Sequence, residues 1–160
     1  MPSDAVLNQV DHFLAEAGWY PGRDEADRVA ALTQFVISDL AAHGCAVSLF
    51  PAAESFLRSY GFLDVTFPYS PGRTEHFNTC ARYCAGEAEE ITELSEELQR
   101  PVFPVGWDKI EGGLAVIDPA ERMFCIHHTG FSYMGVGIRE AIAALYVGGL
   151  QHDVLTAPSS

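Results

Sequence analysis

The segment over residues 101–149 constrains the fold most, because it holds a close succession of strand patterns separated by short turns. Residues 114–117 are apolar at every position, which is typical of a short strand covered on both faces. An Asp-Pro turn separates this strand from a second one over 123–128, and a Thr-Gly turn precedes a third over 131–136. Turns this short join antiparallel neighbours. The segment therefore predicts an antiparallel meander.

Helical patterns lie on both sides of this meander. Five segments have apolar residues at helical spacing, and they begin near residues 4, 24–27, 51, 82 and 138. Three further segments have strand patterns, over residues 45–50, 63–67 and 75–79. The chain is therefore predicted to be α+β, with an antiparallel sheet of about five to six strands flanked by N-terminal helices, an acidic middle helix and a C-terminal helix.

A chain of 160 residues is long enough to bury a sizeable core, and we expect one domain over residues 1–152 and a short polar tail over 153–160. The four cysteines lie in apolar or mixed segments, and the N-terminus lacks the residue order of a signal peptide. No apolar run approaches the roughly 20 residues that span a bilayer. These features predict a cytoplasmic protein with free thiols and no membrane partner.

The charge balance restricts the class of partner. The chain has 22 acidic and 9 basic side chains, for a formal net charge of −13. Such a chain repels phosphate backbones and attracts basic surfaces. We therefore expect no nucleic-acid partner. This charge is compatible with a basic protein partner, and it is also compatible with a role in solubility alone.

The acidic residues concentrate in the predicted helix over 82–98, where six glutamates and no basic residue stand between Glu87 and Glu97. A helix of this kind lacks the Glu-Lys pairs that usually support an exposed surface. It is either a solvated face or an electrostatic docking surface for a cationic partner. The candidate contact residues are Glu89, Glu90, Glu93, Glu96 and Glu97, followed by Asp108 and Glu111 in the loop predicted before the central strand.

A compact aromatic turn follows the first helix, over the sequence Trp19, Tyr20, Pro21, Gly22 and Arg23. Its proline fixes φ, and its glycine can adopt positive φ. Two interpretations stay open. The aromatic side chains fill the junction between two helices, or the aromatic residues and the arginine form an exposed contact patch of the kind found at binding hot spots.

Catalytic chemistry has little support in the sequence. Cys80 and Cys84 are four residues apart, which is the wrong spacing for a zinc knuckle, and no second cysteine pair completes a site. His127 and His128 are predicted on one strand, where adjacent side chains point to opposite faces. Motifs for phosphate binding, dinucleotide binding, serine hydrolysis or zinc proteolysis do not occur in the sequence. We expect no catalytic residue, no metal and no cofactor.

Several segments together resemble a known family. They are AGWYPGR at 17–23, FLRSYGFLDV at 56–65, and the series FPVG, GGLAVID, ERMFCIHHTGF and MGVGIREAIAAL from 103 to 145. In this order they are similar to the third branch of the SUKH superfamily, which is typified by the GWYPGR turn. The resemblance covers nearly the whole chain and implies a SUKH-like α+β fold.

The resemblance also implies a function. Many members of that superfamily are immunity proteins that bind and neutralise polymorphic toxins inside the bacterium that produces them. We therefore expect a non-enzymatic protein whose partner is a cognate protein toxin, for example a nuclease with a cationic cleft. Two alternatives remain: a general interaction or regulatory adaptor of the same fold, and a thiol or zinc enzyme that uses Cys80, Cys84 and a histidine. The sequence leaves the oligomeric state open.

Overall fold

A computed structural model describes residues 2–110 and 112–148. Its helices are α1 (Asp4–Glu16), α2 (Ala26–Ala42), α3 (Pro51–Tyr60), α4 (Ala88–Leu98) and α5 (Gly137–Val147), and a short 3-10 helix over Ala85–Glu87 precedes α4. Its strands are β1 (Asp64–Ser70), β2 (Arg73–Asn78), β3 (Phe103–Asp108), β4 (Leu114–Ile117), β5 (Arg122–His127) and β6 (Gly130–Val136). The six strands form one antiparallel sheet in chain order. The predicted α+β fold is confirmed.

The helix ends follow local sequence chemistry. The hydroxyl of Ser3 accepts a hydrogen bond from the Val6 amide at 3.2 Å and caps the start of α1. Pro51 occupies the first turn of α3, where a missing amide hydrogen leaves no partner unsatisfied. Gln99 ends α4 in the left-handed conformation, and Pro101 follows two residues later. These positions agree with the boundaries that the sequence predicts for the helix ends.

The weakest joint of the sheet lies between β2 and β3, which share two registered residue pairs. Gly106 allows this close approach, because a Cβ there would lie 2.6 Å from the backbone oxygen of Asn78. The β3–β6 meander and the β1–β2 hairpin therefore meet over a short contact. Helices α1 and α5 bridge the two parts, since both pack against β1 and α5 also packs against β6.

An aromatic cluster in the core shows this bridging directly. The Phe13 ring of α1 stacks on Phe67 of β1 with centroids 5.8 Å apart, and it meets Tyr146 of α5 edge-on at 5.1 Å. Phe67 and Phe13 are buried. Aromatic pairs at these distances contribute roughly 0.5–1.5 kcal/mol beyond their burial. Residues that are distant in sequence thus hold the N-terminal helix against the sheet.

Two predicted elements differ from the structure. The helix predicted over 82–98 begins only at Ala88, because the chain is irregular up to Cys84 and Ala85–Glu87 form a 3-10 helix. Residues 45–50 form no strand: the Cys45 amide bonds back to Leu40 at the end of α2, and the chain leads directly into α3. The predicted domain boundary at 152 and the tail over 153–160 lie outside the described residues.

Within the described ranges, no helix combines the length and the apolarity needed to cross a membrane.

Candidate interaction surface

Helix α4 separates its apolar and acidic residues cleanly. Ala88, Ile91 and Leu94 are buried at helical spacing and hold the helix against the core. The opposite face is acidic, with Glu90 half-buried and the others exposed: Glu89, Glu93, Glu96 and Glu97. The apolar stripe fixes the orientation of the helix, so four of the five predicted contact glutamates extend outward from one element, and Glu90 lies at the edge of the buried face.

These glutamates are not neutralised by the rest of the protein. In the part of the chain that the structure describes, none of the six glutamates between 87 and 97 forms an ion pair. Acids in other elements do have basic partners, as in Asp11–Arg139, Asp24–Arg58, Glu25–Arg28 and Asp118–Arg122. The negative charge of this face is therefore not offset by an ion pair within the described residues.

The start of α4 is electrostatically unfavourable. Partial burial raises the pKa of the Glu87 carboxyl, and the neighbouring Glu90 raises it further. One carboxyl oxygen of Glu90 is buried and has no hydrogen-bond partner among the described residues. An ionised carboxylate in such a position lacks both water and a compensating donor. A cation brought by a partner would supply what these two groups lack.

A groove runs beside the acidic face, between α4 and the C-terminal end of α2. Its volume is about 530 Å³, and its lining residues are His43, Gly44, Ala88, Glu89, Thr92, Glu93 and Glu96. Three of the five predicted contact glutamates therefore line one concave surface. Concave acidic surfaces focus the field of the protein and attract basic partners.

Of the two lower-ranked acidic candidates, Asp108 does not join this surface. Asp108 was expected in a loop, but it is the last residue of β3 and is only 1% exposed. Its amide donates to the Gly113 carbonyl at 3.0 Å, and its carboxyl oxygen lies 3.8 Å from the Cys125 sulfur. Burial therefore contradicts a surface contact for Asp108. Glu111 lies outside the described residues.

The aromatic turn divides between packing and exposure. The Trp19 ring stacks on Tyr60 at 5.5 Å, and its indole N–H donates to the Ser59 hydroxyl at 3.3 Å. Arg23 is only 8% exposed, so it does not belong to an exposed contact patch. Its guanidinium donates to the carbonyls of Ser59 and Gly61, each at 2.8 Å.

The remaining residues of the turn lie at the surface. Tyr20 is 58% exposed, and Pro21 and Gly22 are exposed as well. Gly22 has φ of +86°, a conformation that side-chain-bearing residues rarely adopt. Each of the two open interpretations therefore describes part of the turn: Trp19 and Arg23 fix the end of α3, whereas Tyr20 is available to a partner.

One exposed aromatic group escaped the sequence prediction. Tyr83 is 82% exposed, and its ring meets Phe35 of α2 edge-on at 5.7 Å. The Arg82 guanidinium lies over the Phe35 ring at 5.0 Å and near the Tyr83 ring at 5.9 Å. The sequence did contain a signal for this exposure. The residues three and four positions after Tyr83 are Gly86 and Glu87, so Tyr83 does not belong to an apolar helix face that would bury it.

The cysteine and histidine candidates do not assemble into a reactive site. Burial raises the pKa of Cys80, and it raises the pKa of Cys84 to about 12, which disfavours the nucleophilic thiolate. The expectation that His127 and His128 point apart is wrong: His128 lies in the turn after β5, and the two rings are 4.0 Å apart. Among the described residues, no three His, Cys, Asp or Glu side chains are placed to hold a metal ion.

Comparison with known proteins gives one positive finding. The model of the family described as SUKH-3 immunity protein matches residues 6–148. The match includes the aromatic turn, the acidic helix and the whole sheet. Comparisons with curated proteins and with solved structures give no significant match.

Proposed function

The chain belongs to the SUKH-3 immunity protein family, and from that premise we propose that it binds a cognate toxin protein and neutralises it by covering its surface. Membership of the family supports an immunity function. The proposed binding unit is one domain over residues 1–152, with a short tail over 153–160. The proposed place of action is the cytoplasm of the bacterium that makes both proteins.

The observation that carries this proposal is the un-neutralised acidic face of α4. Its glutamates have no internal ion-pair partner in the described part of the chain, and three of them line a groove. An arrangement of like charges on one helix does not stabilise the isolated protein, since close Glu-Glu pairs repel by a few tenths of a kcal/mol each. It does accelerate association with a cationic surface and orient the encounter.

The charge also suggests which class of toxin is bound. An enzyme that acts on nucleic acid needs a cationic surface, because most of its non-specific affinity comes from phosphate contacts. An acidic protein that covers such a surface excludes the substrate by both shape and charge. We therefore propose that the toxin is a nuclease or another enzyme with a cationic cleft.

A mechanism without catalysis is consistent with the thiols. Nucleophilic cysteines need a lowered pKa or an adjacent base. Burial has the opposite effect on Cys80 and Cys84, whose pKa values are both raised. This supports binding over a thiol enzyme that uses these two residues.

The test is a charge-neutral variant of α4. Glutamine replaces Glu89, Glu90, Glu93, Glu96 and Glu97 together, and affinity is measured by calorimetry against the purified toxin encoded next to this gene. We expect affinity to fall by at least about tenfold, because long-range attraction and rim contacts are both lost. Co-expression with the toxin should show a matching loss of protection in growing cells.

A matched variant controls for net charge. It removes five negative charges from exposed acids outside α4, at Asp4, Glu16, Asp27, Glu54 and Glu121. This control should bind within about threefold of the unaltered chain if position matters more than total charge. Equal weakening in both variants would contradict a role for α4 in particular. Failure of the unaltered chain to bind the toxin at all would overturn the proposed function.

A further inference from the structure

A cleft of about 270 Å³ lies at the N-terminal end of α4, and we call it the aromatic cleft. Its floor includes the buried residues Gly113 and Leu114, and its rim includes the exposed side chains of Tyr83 and Trp107. Glu87 also lines the cleft. The cleft therefore combines two aromatic side chains with one carboxylate.

The two aromatic side chains are more exposed than packing explains. Tyr83 is 82% exposed in an irregular segment, and Trp107 is 38% exposed although its backbone pairs inside the sheet. Tyrosine and tryptophan are the residue types most enriched at binding hot spots, where a partner removes their large apolar faces from water. Because both line one concavity, they favour a partner side chain that inserts into it.

The charge of the cleft selects a basic side chain. Glu87 makes no ion pair in the described part of the chain, and Glu90 lies close enough to repel it. Beneath the floor is a second acid: a Cβ on Gly113 would lie 2.9 Å from the Asp108 carboxyl oxygen. Aromatic faces with carboxyl groups behind them match an arginine or lysine side chain, whose stem is apolar and whose head is cationic.

The position of the neighbouring Arg82 is consistent with a preference of this surface for basic side chains. Its guanidinium is already placed over Phe35 and Tyr83, and neither Phe35 nor Arg82 lines the cleft. The pairing shows that aromatic rings at this surface hold a guanidinium group. Arg82 does not pair with Glu87, and no other described residue places a cation within ion-pair distance of the Glu87 carboxylate.

We propose that the aromatic cleft is the anchor point of the toxin interface and holds one arginine or lysine side chain of a basic loop of the toxin. This inference rests on the proposed function and deepens it. Glu87, which lines the cleft, directly precedes the helix that carries the acidic face. The acidic face attracts the basic loop, and the cleft fixes one of its side chains.

The experiment measures binding of the purified toxin encoded next to this gene. Tyr83→Ala and Trp107→Ala should each weaken affinity by about tenfold or more, as hot-spot aromatics do. Glu87→Gln should weaken it by about threefold to tenfold, because a desolvated charge pair is lost. Val147→Ala removes an exposed apolar side chain elsewhere, at the end of α5, and should change affinity less than about twofold. Tyr83 lies on an exposed irregular segment, so its truncation leaves the core intact.

A direct readout accompanies the affinities. The chain has two tryptophans, Trp19 and Trp107. With 5-fluorotryptophan in this chain only, the fluorine resonance of Trp107 should shift on toxin binding, whereas that of Trp19 should not move. Trp107→Phe assigns the two signals.

Three other outcomes would each overturn part or all of these two proposals. If the unaltered chain binds the toxin but Tyr83→Ala, Trp107→Ala and the Trp107 resonance are all unaffected, the cleft is not the anchor, and the proposed function stands. If the aromatic variants weaken binding and Glu87→Gln does not, the occupant is apolar and the basic side chain is wrong. If the unaltered chain does not bind the toxin, both proposals fail together.

Discussion

At the scale of single residues, Glu87 shows that a side chain can oppose folding and still suit a binding surface. Its carboxyl is partly buried, and Glu90 stands beside it. Both effects raise the pKa of this carboxyl, whereas a hydrogen bond from the residue's own backbone amide lowers it. Residues held in such unfavourable environments cluster at functional sites. The stability of the fold and the proposed contact therefore make opposite demands on this position.

This conflict predicts the behaviour of Glu87→Gln. Because the folded-state pKa of Glu87 is raised above its unfolded value, the folded protein holds this proton more tightly, and stability is lost as pH rises through the folded-state pKa. The glutamine variant should therefore be more stable than the unaltered chain at pH 7. The difference should shrink as pH falls below about 4, where both states of the unaltered residue are protonated.

Urea unfolding at the two pH values measures this effect. Glu89→Gln serves as the control, because it removes an exposed charge from the same helical turn. A gain in stability as large in this control would mean that relief of general repulsion, and not the local environment of Glu87, accounts for the result.

At the scale of elements, the aromatic turn acts as a clamp on the end of α3. The last carbonyls of a helix lack partners within the helix. Arg23 supplies donors to two of them, at Ser59 and Gly61, and it lies 3.4 Å from Glu25. Gly61 then adopts an extended conformation, from which the chain continues to β1. The turn between α1 and α2 thereby fixes where the sheet begins.

We expect Arg23→Ala to lower the free energy of unfolding by about 2–4 kcal/mol, because two carbonyls lose charge-assisted hydrogen bonds and one of them is buried. Chemical denaturation measures the loss. Arg139→Ala is the matched control: it breaks a two-point pair with Asp11 that is about half exposed, and such a pair contributes less than about 1 kcal/mol. Equal losses in the two variants would contradict the clamp.

At the scale of the whole molecule, the fold builds the aromatic cleft from two separate parts of the chain. The β3–β6 meander contributes Trp107 and the floor of the aromatic cleft, whereas the segment before α4 contributes Tyr83 and Glu87. The acidic face of α4 and the groove beside α2 lie next to it in the chain. The net charge of −13 acts on every part of this surface. Self-repulsion on this scale lowers the stability of the free protein and favours a cationic partner.

Salt should therefore change folding and binding in opposite directions. Raising NaCl from about 0.05 to 0.5 M shortens the screening length severalfold, so the midpoint of thermal unfolding should rise while the association rate with the toxin falls by about tenfold or more. Stopped-flow mixing and thermal unfolding measure the two effects. The five-glutamine variant of α4 should show a smaller dependence of association rate on salt. An association rate that is indifferent to salt would contradict electrostatic attraction.

The outcome at each element shows what local sequence can specify. Strands β4 to β6 and the five helices were predictable, because hydrophobic periodicity and turn residues such as Gly44, Pro51 and Pro101 act over a few neighbouring positions. Strand β3 was not predicted. The start of α4 was misplaced, since residues 82–84 are irregular and Ala85–Glu87 form a 3-10 helix before α4 begins. The acidic face of α4 was predictable for the same local reason as the helix itself.

The sequence by itself determined the five helices, the antiparallel hairpins from β4 to β6 and the concentration of negative charge, all of which follow from residues close together in the chain. Only the tertiary structure decided that Arg23 and Asp108 are buried, and that Tyr83 and Trp107 face one cleft. Those facts depend on contacts between residues such as Arg23 and Gly61, or Gly113 and Cys125, that are far apart in sequence. Burial is a property of the packed chain, and no local pattern records which long-range neighbour will cover a given side chain.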